Sequence, residues 1–434
     1  MIVLVVVADS LKGEAPGFAG GGAATPFLDG LAAEGAVFDN YCASGAWTIP
    51  SVMSMLTGTW PHRLGLCRWR HPFPAHRATL LTAFAAAGFE TRCFHPYPQW
   101  GFLTLPGKTR VENSQDVAAV ESALRAPRGH DRFVFLLHWW THLPYVNREL
   151  ARGAWHAACD LSLDSLAKYP GRFAAMLERR YFDAVSYFSE QVLPRYVNAA
   201  ASGGDDVLVA VTGDHGETWG RSLPSGRNVE LIYDLHGRWI TDETIRVPLV
   251  LHGRGADGAI PARRIDGMAA GVDFAPTVAD LAGIPWPGPA PAETGSGVAE
   301  RLFAPEDDAG VSLAACVREG AVTPRREVMT VSSHNTHEPK NLPRKRTQYV
   351  AHLRAARRHG MVHLGRRRAG TNGDAARGPT GAGRRAGRRG FLAARSASPK
   401  RRGFRAARRR GYGGDAARRR AGGDAGAAFA GLPD

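Results

Sequence analysis

Met1-Ile2-Val3-Leu4-Val5-Val6-Val7-Ala8 runs without a polar side chain into Asp9-Ser10. An apolar run of this length, rich in β-branched valine, suits a strand buried on both faces of a parallel sheet. It falls short of the ~18 residues that a membrane span needs, and no other stretch reaches that length, so no membrane span is expected. It has no basic segment before it and no cleavage site after it, so no secretory leader is read and a cytoplasmic location is expected. Asp9 closes the run and so falls at the rim of the sheet, where open α/β folds keep their chemistry. By itself, such an aspartate serves equally well as the cap of the next turn.

Working outward, similar runs recur at Phe133-Val134-Phe135-Leu136-Leu137, Val207-Leu208-Val209-Ala210-Val211 and Val247-Pro248-Leu249-Val250-Leu251. Helical patterns separate them. Residues 26–34 follow the cap and first-turn pair Thr25-Pro26, residues 77–87 alternate apolar and small, and residues 172–199 are amphipathic around Tyr181, Val185, Phe188 and Val192. Residues 273–283 begin at Asp273, read as a cap, and stop at Gly283 and Pro285. Strands alternating with helices predict an α/β fold with a doubly wound, mostly parallel sheet. Pro/Gly-rich residues 285–297 read as a loop or linker. With 434 residues, 44% of them apolar, the chain can bury a large core. Five cysteines at 42, 67, 93, 159 and 316 contain no C-x-x-C pair, which argues against a disulfide framework or a cysteine zinc site.

The net charge of +15 is unevenly spread. Residues 1–340 hold 30 basic and 36 acidic side chains, whereas residues 341–434 hold 25 and 4. The division predicted is therefore a folded domain over 1–340 and a basic Arg/Gly/Ala-rich tail over 341–434. From about residue 364 the tail has almost no aliphatic periodicity, and its composition predicts disorder. A frame-shifted reading of a GC-rich gene accounts for such a tail as well as a nucleic-acid-binding arm does. It lacks the interleaved aromatics of RNA-binding segments, so nucleic acid is expected only as a non-specific partner.

Four further segments carry chemistry. In Trp47-Thr48-Ile49-Pro50-Ser51 a hydroxyl stands two residues before a proline able to open a helix, where the helix dipole favours an anion. Thr212-Gly213-Asp214-His215-Gly216-Glu217 follows a buried strand, and its adjacent Asp and His offer an oxygen and a nitrogen to one divalent cation. His138-Trp139-Trp140-Thr141-His142-Leu143-Pro144-Tyr145 follows another strand, and Asp234-Leu235-His236-Gly237 precedes a fourth. Three strand ends each bringing a His or Asp to one rim point to a single site. Gly107-Lys108-Thr109 is not a P-loop, because the first glycine of that motif would fall on Phe102.

Taken in order, these segments resemble the sulfatase family of the alkaline-phosphatase superfamily. The resemblance covers roughly residues 1–285. It also takes in Ala24-Thr25-Pro26-Phe27-Leu28-Asp29, Leu56-Thr57-Gly58-Thr59-Trp60-Pro61-His62-Arg63-Leu64-Gly65 and Ile245-Arg246-Val247-Pro248-Leu249. It implies that Asp9, Asp214 and His215 bind a divalent metal (Zn, Mn, Mg or Ca), with the Thr48 oxygen completing the shell. It implies that Thr48 is the nucleophile, and that His142 and His236 contact the transferred group or the leaving oxygen, or bind a second metal. The substrate implied is a small-molecule, glycan-linked or lipid-linked ester of sulfate or phosphate.

The sequence departs from the sulfatase pattern at known positions. The signature C/S-x-P-x-R reads Thr48-Ile49-Pro50-Ser51-Val52, so neither the cysteine convertible to formylglycine nor the arginine is there. The second signature, Gly88-Phe89-Glu90-Thr91 followed by Arg92-Cys93-Phe94-His95, lacks its lysine, and Ser10 stands where sulfatases usually carry a second aspartate. The expectation is a metal-dependent hydrolase with a threonine nucleophile. Phosphonate or phosphodiester hydrolysis, phosphoethanolamine or phosphoglycerol transfer, and a catalytically inactive binding protein are the alternatives.

Overall fold

β1 (Ile2–Ala8) is the opening apolar run, and all seven of its residues are buried. Next along the chain come α1 (Pro26–Glu34), β2 (Ala36–Cys42), α2 (Thr48–Thr57), α3 (Leu80–Ala86), β3 (Glu90–His95), β4 (Val111–Asn113), α4 (Val117–Leu124) and β5 (Arg132–His138). After them lie α5 (Pro170–Tyr187), α6 (Leu193–Ala201), β6 (Val207–Gly213), α7 (Asp242–Ile245), β7 (Leu249–Gly255), β8 (Gly258–Ala259) and β9 (Arg263–Ala270). The last are α8 (Phe274–Leu281), α9 (Ala314–Glu319), β10 (Glu327–Ser333), β11 (Gln348–Arg354) and β12 (Gly365–Arg368). This is a computed structural model, which describes residues 1–61, 63–64, 77–96, 111–125, 129–142, 145, 170–218, 236–237, 240–288, 309–324, 327–333, 348–354 and 365–368.

Among the described residues the main sheet runs β4-β3-β5-β1-β6-β7-β2-β9, with β8 paired to β7. β1 sits between β5 and β6 and is parallel to both. β3 pairs in parallel with β4 and β5, and β2 with β9, while β7 runs antiparallel to β6 and β2. The sheet is thus mostly parallel, as expected.

Both faces of the sheet are covered, which is why β1 needs no polar residue. Val3, Val5 and Val7 pack in one core with Ile49, Val52 and Leu56 of α2 and Phe274 and Val278 of α8. Ile2, Leu4, Val6 and Ala8 pack on the other face with Leu28 of α1, Val120 of α4, Tyr181 of α5 and Tyr196 of α6. Burying a Val, Leu or Ile side chain in full contributes about 1.5–3 kcal/mol relative to leaving it exposed. This strand is therefore a main source of the core's stability.

Several elements differ in extent from their predicted bounds. The last apolar run enters the sheet at Leu249 rather than Val247, because Pro248 has no N–H to give to a ladder. The helix predicted over 77–87 is shorter, beginning after Thr79, which forms a capping box with Thr82. The amphipathic stretch 172–199 is two helices joined by a π turn at Phe188–Val192. Asp273 does not cap α8 with its side chain; it accepts from Ala270 N–H at 2.9 Å and Val311 N–H at 3.0 Å.

β10, β11 and β12 form a separate antiparallel sheet. Two of its strands lie beyond residue 340, within the stretch predicted to be tail. Disorder was expected from about residue 364, yet β12 at Gly365–Arg368 lies inside that stretch; residues 369–434 lie outside the described residues, as do Gly107-Lys108-Thr109 and residues 289–297 of the expected linker. Cys42, Cys93 and Cys316 are buried free thiols; Cys67 and Cys159 are not among the described residues. Among the described residues no helix is long and apolar enough to cross a membrane.

Candidate active site at the sheet rim

Asp9 follows β1, Asp214 and His215 follow β6, and His142 lies four residues past β5, so three adjacent parallel strands deliver these side chains to the same carboxyl-end rim. Backbone bonds lock the rim. Asp9 N–H donates to the His138 carbonyl at 2.8 Å, and the Thr141 hydroxyl donates to the Asp9 carbonyl at 2.6 Å. The chain turns sharply at Ser10, whose φ of +65° lies in the left-handed region that a non-glycine residue seldom adopts. Two bonds hold that turn from below: the Tyr181 hydroxyl on α5 donates to the Ser10 carbonyl at 3.0 Å and accepts from Lys12 N–H at 2.8 Å. A strained residue kept in place beside a candidate site is where functional strain is usually stored.

The glycines around Asp214-His215 are there for space. A Cβ on Gly213 would collide with the Leu11 carbonyl, and one on Gly216 with the Glu243 carbonyl. Gly216 N–H instead donates to the Thr244 carbonyl at 2.9 Å, pinning the turn against α7. Asp214 Oδ1 accepts from Ser10 N–H at 3.0 Å and from His215 N–H at 2.8 Å, which aims its other oxygen into the site. That second oxygen, Oδ2, is buried and has no hydrogen-bond partner.

Thr48 opens α2, and Trp47 rather than Thr48 holds the cap position. The Thr48 hydroxyl makes no capping bond. It stands 3.5 Å from Asp9 Oδ2 and 3.3 Å from His215 Nε2, and its residue is half-buried while its neighbours in the cluster are fully enclosed. Pro50 is accommodated because N–H groups in a helix's first turn have no intrahelical partner to lose.

The ligand atoms of Asp9, Asp214 and His215 all lie within 4.8 Å of one another, as do those of His142, Glu217 and His236. The two groups touch: the His215 and His236 rings are 4.5 Å apart and the His142 and His236 rings 5.2 Å. All six residues singled out in the sequence therefore converge.

Burial, then the Asp214 charge, raises the Asp9 carboxyl well above its usual range, and burial pushes Asp214 up to about 7. Burial and the neighbouring His236 lower His215, so its imidazole is held neutral, as a metal ligand requires. Two enclosed carboxyls, a neutral imidazole, a hydroxyl and one orphaned carboxylate oxygen fit a divalent cation, whose charge would offset the cost of burying the anions.

Sequence reasoning gave Glu217 no role. It is fully buried, its Oε1 lies 3.1 Å from His236 Nδ1, and its Oε2 has no partner. Burial pushes its carboxyl up to about 7. The signal available was its place in the same Gly-flanked turn as Asp214 and His215, but a Glu in a polar turn is ordinary. Only the fold shows that it points inward.

A family model described as "Sulfatase" matches residues 2–104 and 163–284, more than half of the chain. The chain belongs to the sulfatase family. That family hydrolyses sulfuric and phosphoric esters, and the rim cluster of this sulfatase-family protein lies within the matched segments except for His142. Solved structures share the fold. The phosphonate monoester hydrolase of Silicibacter pomeroyi is 14% identical with a TM-score of 0.57, covering 85% of this chain and 87% of its own. That of Agrobacterium radiobacter is 15% identical with a TM-score of 0.53, covering 80% and 86%. A 2-O GAG sulfatase is 17% identical with a TM-score of 0.57, covering 81% and 82%. At these identities the likeness is one of fold. A sequence search among curated proteins found no match.

Proposed function

We propose that this sulfatase-family protein is a divalent-metal-dependent hydrolase of sulfate or phosphorus esters in which Thr48 is the attacking group. The observation that carries the reading is the Thr48 hydroxyl, on a half-buried residue at a helix start and 3.3–3.5 Å from His215 and Asp9. Asp9, Asp214, His215 and Thr48 would hold the metal, which when bound supplies positive charge that acidifies the hydroxyl and steadies the ester's oxygens.

The remaining work belongs to the side chains. Thr48 Oγ1 bonds to the sulfur or phosphorus, its proton leaves toward Asp9 Oδ2, and the bond to the leaving oxygen breaks. His142 or His236, whose rings lie 5.2 Å from each other with His236 4.5 Å from the His215 ring, gives a proton to that oxygen. Water then cleaves the threonyl ester and restores Thr48.

Thr48 stands where formylglycine-dependent sulfatases need a cysteine, so we expect phosphorus esters to be turned over faster than sulfate esters. Phosphonate monoester hydrolases among the structural neighbours support that preference; sulfated-glycan enzymes among them make a sugar-linked ester the competing substrate. The test is Thr48→Ala assayed with matched aryl phosphate diester, aryl phosphonate and aryl sulfate. Turnover is expected to fall by about 10³-fold or more with the fold intact, because a lost covalent nucleophile costs that much. A near-wild-type rate would sink the assignment. A wild-type preference for sulfate above about tenfold would reverse the substrate order.

A further inference from the structure

Two indoles, Trp139 and Trp140, follow the end of β5 at the site's rim and have no part in the reaction as derived above. Their neighbours differ. Trp140 stacks on the buried His138 ring at 5.7 Å and 22° and lies 5.6 Å from Tyr187, so it ties the loop to α5. Trp139 stacks instead on His142, at 4.8 Å and 25°. The loop carrying it is fixed at each step. Trp140 N–H donates to His138 Nδ1 at 3.3 Å, and the Thr141 hydroxyl to the Asp9 carbonyl at 2.6 Å. His142 N–H donates to the Trp139 carbonyl at 3.1 Å, and Tyr145 N–H to the His142 carbonyl at 2.9 Å. Trp139 is nonetheless only half-buried, unlike the fully enclosed Asp214 and His215. A part-exposed indole on a rigid backbone offers large contact area at little cost in conformational freedom.

Contacts lead from Thr48 to this ring. Thr48 Oγ1 is 3.3 Å from His215 Nε2, the His215 and His236 rings are 4.5 Å apart, His236 and His142 5.2 Å, and His142 and Trp139 4.8 Å. In an in-line displacement the leaving oxygen departs on the far side of the transferred atom from the attacking one. A proton donor in His142 or His236 therefore sets the leaving oxygen beside these rings, with the carbon framework behind it within reach of Trp139. We propose that Trp139 is the platform for the leaving group, and that it selects esters whose alcohol carries a flat apolar ring face, aryl or pyranosyl, over esters of acyclic alcohols. The proposal rests on the reading of Thr48 and the two histidines given above. An indole suits either face: an aromatic ring stacks on it offset, and a sugar packs its axial C–H groups against it.

Full-length wild type, Trp139→Ala and Trp139→Phe are assayed on phenyl, glucose-6-yl and ethyl esters of one transferred group, the one wild type turns over fastest. Dividing each variant's kcat/KM by that of wild type on the same ester cancels the differing acidities of the alcohols. Trp139→Ala is expected to lose about tenfold or more on the ring-bearing esters, chiefly through KM, and less than about twofold on the ethyl ester. Trp139→Phe is expected to keep most of the activity on the phenyl ester. A loss confined to the phenyl ester assigns the platform to aryl groups, and one confined to the glucose ester assigns it to sugars. An equal loss on all three esters means that Trp139 only props His142 and overturns the proposal, as does no loss on any. Trp139→Leu, with apolar bulk but no ring, takes the place of Trp139→Ala if that variant does not fold. Failure of the Thr48 reading shows separately, as turnover retained in Thr48→Ala, and leaves the Trp139 comparison intact. If no ester is turned over, calorimetric binding of the phenyl ester to wild type and Trp139→Ala decides: weaker binding by the variant supports the platform, and equal affinities overturn it.

Discussion

Asp214 shows what one enclosed carboxyl costs and what offsets it. Burial pushes it up to about 7, against about 3.9 in an unfolded chain. The folded state holds the proton more tightly, so this residue's stabilising contribution is full below pH ~4 and is lost as pH rises through 7. Asp214→Asn escapes that loss. In chelator, the urea midpoint of Asp214→Asn should therefore gain on wild type between pH 4 and 7 and then hold level. With divalent metal present the order should reverse, because the ion binds the carboxylate. A constant difference across that range would show that Asp214 is not the buried acid it is taken to be. At this scale the sequence was informative wherever a residue closed a strand: Asp9, Asp214 and His215 could be placed at the rim from the apolar runs before them. Glu217 could not, since nothing in a Gly-Glu turn tells which carboxylates face in.

α7 and the turn after β6 depend on each other through Gly216. Its missing side chain leaves room for the Glu243 carbonyl, and its N–H bonds to the Thr244 carbonyl. Gly216→Ala is expected to push the turn off α7, costing about 1–3 kcal/mol as other overpacked sites do, and to weaken metal binding at Asp214 and His215. Thermal melts and a metal titration check this; unchanged values in both would mean the turn tolerates the shift. Elements with strong periodicity or caps were legible, α1 to the residue because Thr25-Pro26 marks its start. β2 was not, because Asp39-Asn40 interrupt its apolar pattern midway where it bulges against β9. β9 was missed too, since Arg263, Arg264 and Asp266 sit on a strand that, among the described residues, lies at the end of the main sheet beside β2.

For the molecule as a whole, charge separates what composition alone would blur. Residues 374–434 carry 16 basic and 4 acidic side chains and few large apolar ones. Ending the chain at Gly373, past β12, is expected to leave metal content and turnover unchanged. It should also remove most salt-sensitive retention on a polyanion column. Lost metal or a lowered melting temperature in the shortened protein would show that the tail supports the catalytic domain.

β1 pairs with β5 at a separation of 130 residues and with β6 at 205. At synthesis rates of roughly 5–20 residues per second, its second edge stays uncovered for ~10–40 s after the strand itself has been made. A valine-rich segment with open edges is then a template for pairing with a neighbouring chain. Long-range parallel pairing of this kind is also slow to form on refolding. Yield of native protein is thus expected to be set by kinetics: cooler expression or dilute refolding should raise it, without any change in the stability of the folded chain.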